Sequence, residues 1–196
     1  VAGKILPQRS ETRLFLFHKP SGMVVTHRDE RGRATVFDGL PDDLPRLVSV
    51  GRLDLNSEGL LLLTTSGDLA RYLELPATKL PRTYRVRAFG DIARLNPEKL
   101  ARGMTVDGIK YGPITVEFDR AGPAGAAKNH WIYMTLHEGK NREIRHVLDH
   151  LGFAVNRLIR VAYGPFGLDD IPKGALVEVP SAQMHKRLPG FFAGKK

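Results

Sequence analysis

The first patterned stretch is Leu14-Phe15-Leu16-Phe17-His18, an apolar run that Lys19-Pro20-Ser21-Gly22 closes with turn residues. It predicts a strand over 14–18. Residues 1–12 ahead of it are polar and aperiodic and read as a linker or arm. Met23-Val24-Val25-Thr26-His27 is expected to resume as a strand, and residues 28–33 to form an exposed charged loop. Two further apolar runs, 47–51 and 60–65, alternate too little for half-exposed strands. They predict two buried strands, with Asp54 on the loop between them. Ser66, followed by Asp68 and Leu69, predicts a capped helix that continues to about Leu75, where Pro76 stops it.

Downstream, Thr83-Tyr84-Arg85-Val86-Arg87-Ala88-Phe89 alternates and is rich in strand formers. Asn96-Pro97-Glu98 combines an N-cap, a proline at the first helical position and an acidic first turn, and Gly103 suits the position just past a helix end. A strand around 104–106 turns at Asp107-Gly108, a hairpin dipeptide. Strands over 114–118 and 131–138 follow, with a loop over 121–129 between them. Asn141 is expected to cap a helix whose Ile144, Val147, Leu148 and Leu151 recur at i, i+3, i+4 and i+7, ended by Gly152. Runs 157–163 and 175–180 predict the last two strands. Strands outnumber helices and hairpins outnumber crossovers, so the fold class is α+β with a mixed, mainly antiparallel sheet flanked by a few helices. The expected division is an arm over 1–12, a domain over 13–182 with room for two sub-lobes, and a tail over 183–196.

Composition adds a class of partner. Of 196 residues, 30 are Lys or Arg and 21 Asp or Glu, a formal net charge of +9. Such an excess suits a polyanion, usually nucleic acid, although a basic enzyme without such a partner has the same balance. The absence of cysteine excludes disulfides, thiolate catalysis and Cys-based zinc sites, and fits a cytoplasmic protein. No run approaches the ~20 apolar residues that cross a bilayer, so no membrane partner is expected. The first residue is Val rather than Met, and a preceding segment is expected in the natural protein.

Candidate chemistry narrows by elimination. His146 and His150 stand at i and i+4, but Val147 replaces the glutamate a zincin requires. Asp54-x-Asn56-x-Glu58-Gly59 opens like a calcium loop, yet its twelfth position is Thr65. Hence no metal is expected. No nucleophile elbow or phosphate-cradling loop occurs, and Ser57 and Ser66 suit turn and capping roles. Asp54 and Glu58 as a glycosidase pair remain a weak alternative. Contact with RNA has more support. Lys140, Arg142, Arg145 and His146 crowd one helix start, Arg157 and Arg160 follow, and Arg82, Arg85 and Arg87 interleave with Tyr84. Basic residues beside an aromatic suit phosphate contact with base stacking; solvated surface charge is the plainer alternative. Asp54 itself has two readings: a turn former that caps its own backbone, or a functional carboxylate kept ionised by an arginine.

The ordered motifs His18-Lys19-Pro20-Ser21-Gly22, Gly51-Arg52-Leu53-Asp54 with Ser57-Glu58-Gly59-Leu60-Leu61, Arg82-Thr83-Tyr84-Arg85-Val86, Glu138-Gly139-Lys140-Asn141-Arg142-Glu143-Ile144-Arg145 and Leu158-Ile159-Arg160 resemble the RsuA/RluB/RluE/RluF family of bacterial ribosomal-RNA pseudouridine synthases. The resemblance spans about 11–180 and is nearest to the RluB branch, which acts on large-subunit rRNA. It implies a cofactor-free isomerase that converts one uridine in rRNA, or in its precursor, to pseudouridine. Asp54 matches the family's catalytic aspartate, and Arg145 the basic residue that pairs with it. Tyr84 matches the tyrosine that stacks on the target base, and Arg52 the arginine that takes the extruded nucleotide's place. Lys19 matches a position of structural role, and Leu158 is implied to line the pocket. Lys140, Arg142, Arg85, Arg157 and Arg160 are expected to contact RNA. Arg82 stands where the family often has Lys. Family members usually carry an N-terminal domain related to ribosomal protein S4, and the RluB branch a long basic tail. Neither is in this sequence, so RNA affinity is expected to suffer more than catalysis. A monomer is the default expectation. Two readings compete with the enzyme: a non-catalytic rRNA-binding or ribosome-assembly factor on the same scaffold, and an enzyme acting on a free nucleoside.

Overall fold

The computed structural model describes residues 11–119 and 128–193. Residues 1–10 of the expected arm, most of the 121–129 loop and residues 194–196 lie outside the described residues. The strands are Leu14–Lys19 (β1), Val48–Ser49 (β2), Glu58–Thr64 (β3), Arg82–Phe89 (β4), Met104–Val106 (β5), Ile109–Tyr111 (β6), Ile114–Phe118 (β7), Asn129–Leu136 (β8), Ala154–Tyr163 (β9), Phe166–Gly167 (β10) and Leu176–Glu178 (β11). The helices are Gly67–Glu74 (α1), Pro97–Leu100 (α2), Glu143–His150 (α3), Ser181–Arg187 (α4) and Pro189–Phe192 (α5).

The main sheet has the order β11-β1-β3-β9-β4-β8-β7. Each neighbouring pair is antiparallel except β3 with β9, so the mixed, mainly antiparallel α+β class holds. Side chains alternate across it and separate the packing onto two faces. On the front, Phe15, Phe17, Leu61 and Leu63 pack with Val25, Val36, Leu47 and Leu53. Further along the same face, Val86, Ala88, Ile132 and Met134 pack beneath Leu100 of α2 and Ile144, Val147 and Leu148 of α3. On the back, Leu14, Leu16, Leu60 and Leu62 meet Leu69 and Leu73 of α1, Met184 of α4 and Leu188. Leu60 to Leu63 are fully buried. Each contributes about 1.5–3 kcal/mol by leaving water, which fixes β3 as the sheet's rigid spine.

Local signals set most boundaries. Ser66 Oγ accepts the Leu69 N–H at 3.1 Å and starts α1. Asn96 caps α2, and Asp107 and Gly108 both take positive φ in the β5–β6 turn. Other expectations change. The run 47–51 supplies only the two-residue β2, because Gly51 (φ +65°) turns the chain and donates to Glu74 Oε1 at 2.6 Å. Residues 23–27 form no strand, only a bridge from Val24 to Thr35; Val25 instead plugs the front core. The strand placed at 131–138 runs from Asn129 to Leu136, since Glu138 turns away to accept the Gly112 N–H. Asn141 does not cap α3; Arg142, left-handed at φ +51°, occupies that position without a side-chain capping bond. The tail expected from 183 is packed helix as far as described: Met184 and Leu188 are buried, and Phe191 and Phe192 lie against the back core. Among the described residues no helix is long and apolar enough to cross a membrane.

Candidate active site

Between the two front cores lies a cleft of about 880 Å³, lined by Arg52, Asp54, Arg82, Tyr84, Glu138, Lys140, Arg142, Glu143, Leu158 and Arg160 among others. Tyr84, on β4, packs against both cores and so stands at the seam. Leu158, on β9, is buried on the cleft floor. Arg52 is exposed at the rim.

The Asp54 loop is held by a buried lysine. Lys19 is fully buried, and its ammonium donates to the carbonyls of Ser57 (2.7 Å), Pro20 (3.0 Å) and Leu55 (3.2 Å). Burial pushes its pKa down to about 8, against the pull of Asp54 and Glu58. Three carbonyls around one cation clamp the loop from beneath, while Gly22 N–H reaches Leu55 O (2.8 Å) and Ser57 N–H reaches Asp54 O (3.0 Å). At the loop's far end, Glu58 accepts both Arg157 Nε (2.9 Å) and Nη2 (3.1 Å), and lies 3.0 Å from Lys173 Nζ. The Arg157 bond holds the Glu58 carboxyl below its usual range, with burial opposing. Gly59 then crosses β9 so closely that a Cβ there would stand 2.2 Å from Arg160 O.

The carboxylate these clamps present pairs with a different arginine from the one expected. Arg142 Nη1 donates to Asp54 Oδ2 at 3.0 Å. Arg145, three residues on and one helical turn deeper, instead reaches Ser57 Oγ at 3.4 Å. Its Nε is buried with no hydrogen-bond partner among the described residues. Burial lowers the Arg145 pKa, repulsion from Arg142 adds to this, and Asp54 opposes it. Both guanidiniums therefore stand around Asp54, but the contact belongs to Arg142. The left-handed backbone that aims Arg142 is set by tertiary packing, and the sequence carries no signal for it.

Several basic residues expected on RNA are spent elsewhere. Arg85 pairs with Asp119 at 3.0 Å and lies 3.9 Å over the Trp131 ring. Arg85 and Arg87 alternate with Tyr84 and Val86 on β4, so they project from the back face, away from the cleft. Arg157 is engaged with Glu58. Arg160 is 4% exposed and donates Nε–H to Leu60 O at 2.8 Å; it belongs to the cleft floor and not to a phosphate path. Arg82 is likewise buried, bonded to Leu80 O and Tyr163 Oη. Of the residues expected on RNA, Arg52, Lys140 and Arg142 stand at the cleft rim.

Sequence reasoning gave no role to two acids of the cleft, Glu138 and Glu143. Glu143 is 3% exposed although it opens α3 and lines the cleft. The sequence signal was their place within the motif 138–145.

The chain matches a family model described as RNA pseudouridylate synthase over residues 13–150. It is 44% identical over 188 residues to an uncharacterized RNA pseudouridine synthase of Rickettsia felis, covering 95% of this chain and 79% of that one. It is 40% identical over 173 residues to ribosomal large subunit pseudouridine synthase B of Salmonella typhi, covering 87% of this chain and 58% of that one. The same fold occurs in a crystal structure of a pseudouridylate synthase, with a TM-score of 0.76, 23% identity and coverage of 91% of this chain and 74% of that chain.

Proposed function

Since this chain belongs to the RNA pseudouridylate synthase family, we propose that it isomerises a uridine of large-subunit ribosomal RNA, with Asp54 as the reacting carboxylate. The observation that carries the assignment is the pairing of Asp54 with Arg142 at 3.0 Å in the cleft that Tyr84 also lines. The rRNA substrate is inferred from the Salmonella relative's name.

The reaction breaks the bond from C1′ to N1 of uracil and forms one from C1′ to C5. The proton on C5 is lost and N1 gains one, so atoms and electrons balance without an oxidant or group donor. The chemistry needs no cofactor. What it needs is a carboxylate fixed against the sugar and base and a cavity that retains the detached uracil. The Lys19 clamp and the β3 spine supply the first. Leu158 on the cleft floor and the apolar side of Tyr84 supply the second, and limit water at the reactive sugar.

A stacked base cannot reach this carboxylate, so the nucleotide is flipped at a cost of a few kcal/mol. Tyr84 stacking on the extruded base offsets roughly 1–3 kcal/mol of that. Arg52 at the rim fills the vacated position and meets phosphate. The test is tritium release from an rRNA transcript labelled at uracil C5. Asp54→Asn is expected to bind the transcript as the wild type does and to release no tritium. Substantial release by that variant overturns the assignment.

A further inference from the structure

Glu143 presents a physical problem. Its carboxyl group is nearly sealed from water, and among the described residues no N–H or O–H group donates to either oxygen. An ionised carboxylate in that position would forfeit its hydration with no compensation. The acid that shares this stretch of the cleft wall with it is Glu138, whose nearness adds to burial in raising the Glu143 pKa. Two carboxyl groups form a hydrogen bond only if one carries the proton. Glu138 Oε1 already accepts the Gly112 N–H at 2.6 Å, and Oε2 lies 3.5 Å from Lys140 Nζ. Glu138 is therefore the anion and Glu143 the donor.

Resting on the proposed role of Asp54, we propose that Glu138 and Glu143 form a one-proton clasp that positions the start of α3, and with it Arg142 and Arg145, against the Asp54 loop. The clasp ties three pieces of chain together. Glu138 fixes the end of β8 to Gly112, at the corner between β6 and β7. Lys140 ties the same turn to that corner through the Lys110 carbonyl. Glu143 is the residue directly after Arg142, whose left-handed backbone turns its side chain toward Asp54. Opening the clasp frees that backbone, and both guanidiniums lose their aim.

The groups facing the clasp give its response to pH. Burial raises the Glu143 pKa to about 8, Glu138 adds to this, and Lys140 and Arg82 oppose it. Burial pushes Glu138 up as well, but the Gly112 N–H, the Glu143 bond and Lys140 outweigh it and hold that acid low. Tyr111 also faces Glu143 and, with its own pKa raised, stays neutral here; its hydroxyl meets His146 Nδ1 at 3.1 Å. The folded state thus holds a proton on Glu143 that the unfolded chain releases near 4.5. Stability from this residue is greatest at acid pH and declines as pH rises from about 4.5 to about 8. Above that, two anions face each other and the clasp opens.

Glu143→Gln keeps a donor toward Glu138 and removes the titration. The wild type is expected to lose kcat above pH 8; Glu143→Gln is expected to retain the wild-type rate at neutral pH within about twofold, to lack that fall, and to leave KM for RNA unchanged. Its thermal stability relative to wild type should rise steadily with pH across the neutral range. Infrared difference spectra of the wild type should contain a protonated-carboxyl band that titrates in that range and is missing from Glu143→Gln. Glu143→Ala should lose about tenfold in kcat through misplacement of the arginines. Superimposable pH–rate profiles for wild type and Glu143→Gln, or no carboxyl band above acid pH, overturn the proposal. The infrared and stability readings need no turnover, so they stand apart from the test of Asp54: activity in Asp54→Asn would remove the catalytic reading and leave the clasp to be judged on its own titration.

Discussion

At Asp54, contact and electrostatic influence belong to different residues. Arg142 makes the 3.0 Å pair, but its side chain is 44% exposed and that of Asp54 32%, so water and salt screen the interaction. Arg145 hydrogen-bonds Ser57 at the limit of such a bond, yet it is half-buried, and among the described residues its Nε has no partner. A charge in lower dielectric acts further and more strongly. Arg145→Ala is therefore expected to cost more in the single-turnover rate than Arg142→Ala, about 100-fold against about tenfold, with RNA affinity nearly unchanged. Arg142→Ala should weaken RNA binding as well, because its exposed guanidinium is in reach of phosphate. Rapid-quench single-turnover kinetics and filter binding separate the two; equal effects on rate would refute the argument. The motif of residues 138–145 identified the arginines but not their order of approach. That order depends on the φ of one residue, which packing around Glu143 decides.

At the scale of elements, the parallel contact of β3 with β9 is the tightest constraint. Gly59 has φ +110° and faces the Arg160 backbone, with a hypothetical Cβ 2.2 Å from the Arg160 oxygen. Gly59→Ala must part the two strands or strain the backbone. A loss of about 3 kcal/mol, lowering Tm by roughly 6–12 °C, is expected in thermal unfolding, with catalysis lost as the floor beneath Asp54 shifts. A Tm unchanged within a degree or so would refute it. Elements of this kind were unevenly legible. Helix α1 could be read because Ser66, the apolar spacing and Pro76 agree. The direction of Arg85 and Arg87 was also legible, since the two-residue period that puts Tyr84 in the cleft puts them on the opposite face; counting them as one basic cluster ignored that period. The burial of Arg160 was not legible, because only the neighbouring β3 supplies its carbonyl partner.

For the whole molecule, the basic residues expected on RNA divide between the cleft rim and the back of the sheet. Arg52, Lys140 and Arg142 rim the cleft, while Arg85 and Arg157 are neutralised on the back by Asp119 and Glu58. RNA binding should weaken steeply with salt as phosphates are contacted and counterions released. Charge removal at Arg52 or Lys140 is expected to reduce the log–log slope by about 1 each. Arg85→Ser and Arg87→Ser should leave it unchanged. Fluorescence anisotropy across a salt series measures this, and a slope that drops on changing Arg85 and Arg87 would put the RNA path on the wrong face. Composition pointed to a polyanion, but only the sheet decides which side it meets.

The pairing of Glu58 and Gly59 with Ile159 and Arg160 also bears on how the molecule comes into being. A hundred residues of intervening chain must emerge from the ribosome before the two strands can meet. Closing so long a loop precedes any reward from the contact, which places the event late and makes it slow. A nascent polypeptide halted before β9 already carries the aspartate and its lysine clamp, yet lacks the strand that forms the cleft floor. Maturation of the catalytic apparatus is thereby tied to synthesis of β9, and fragments stalled before it are born inert.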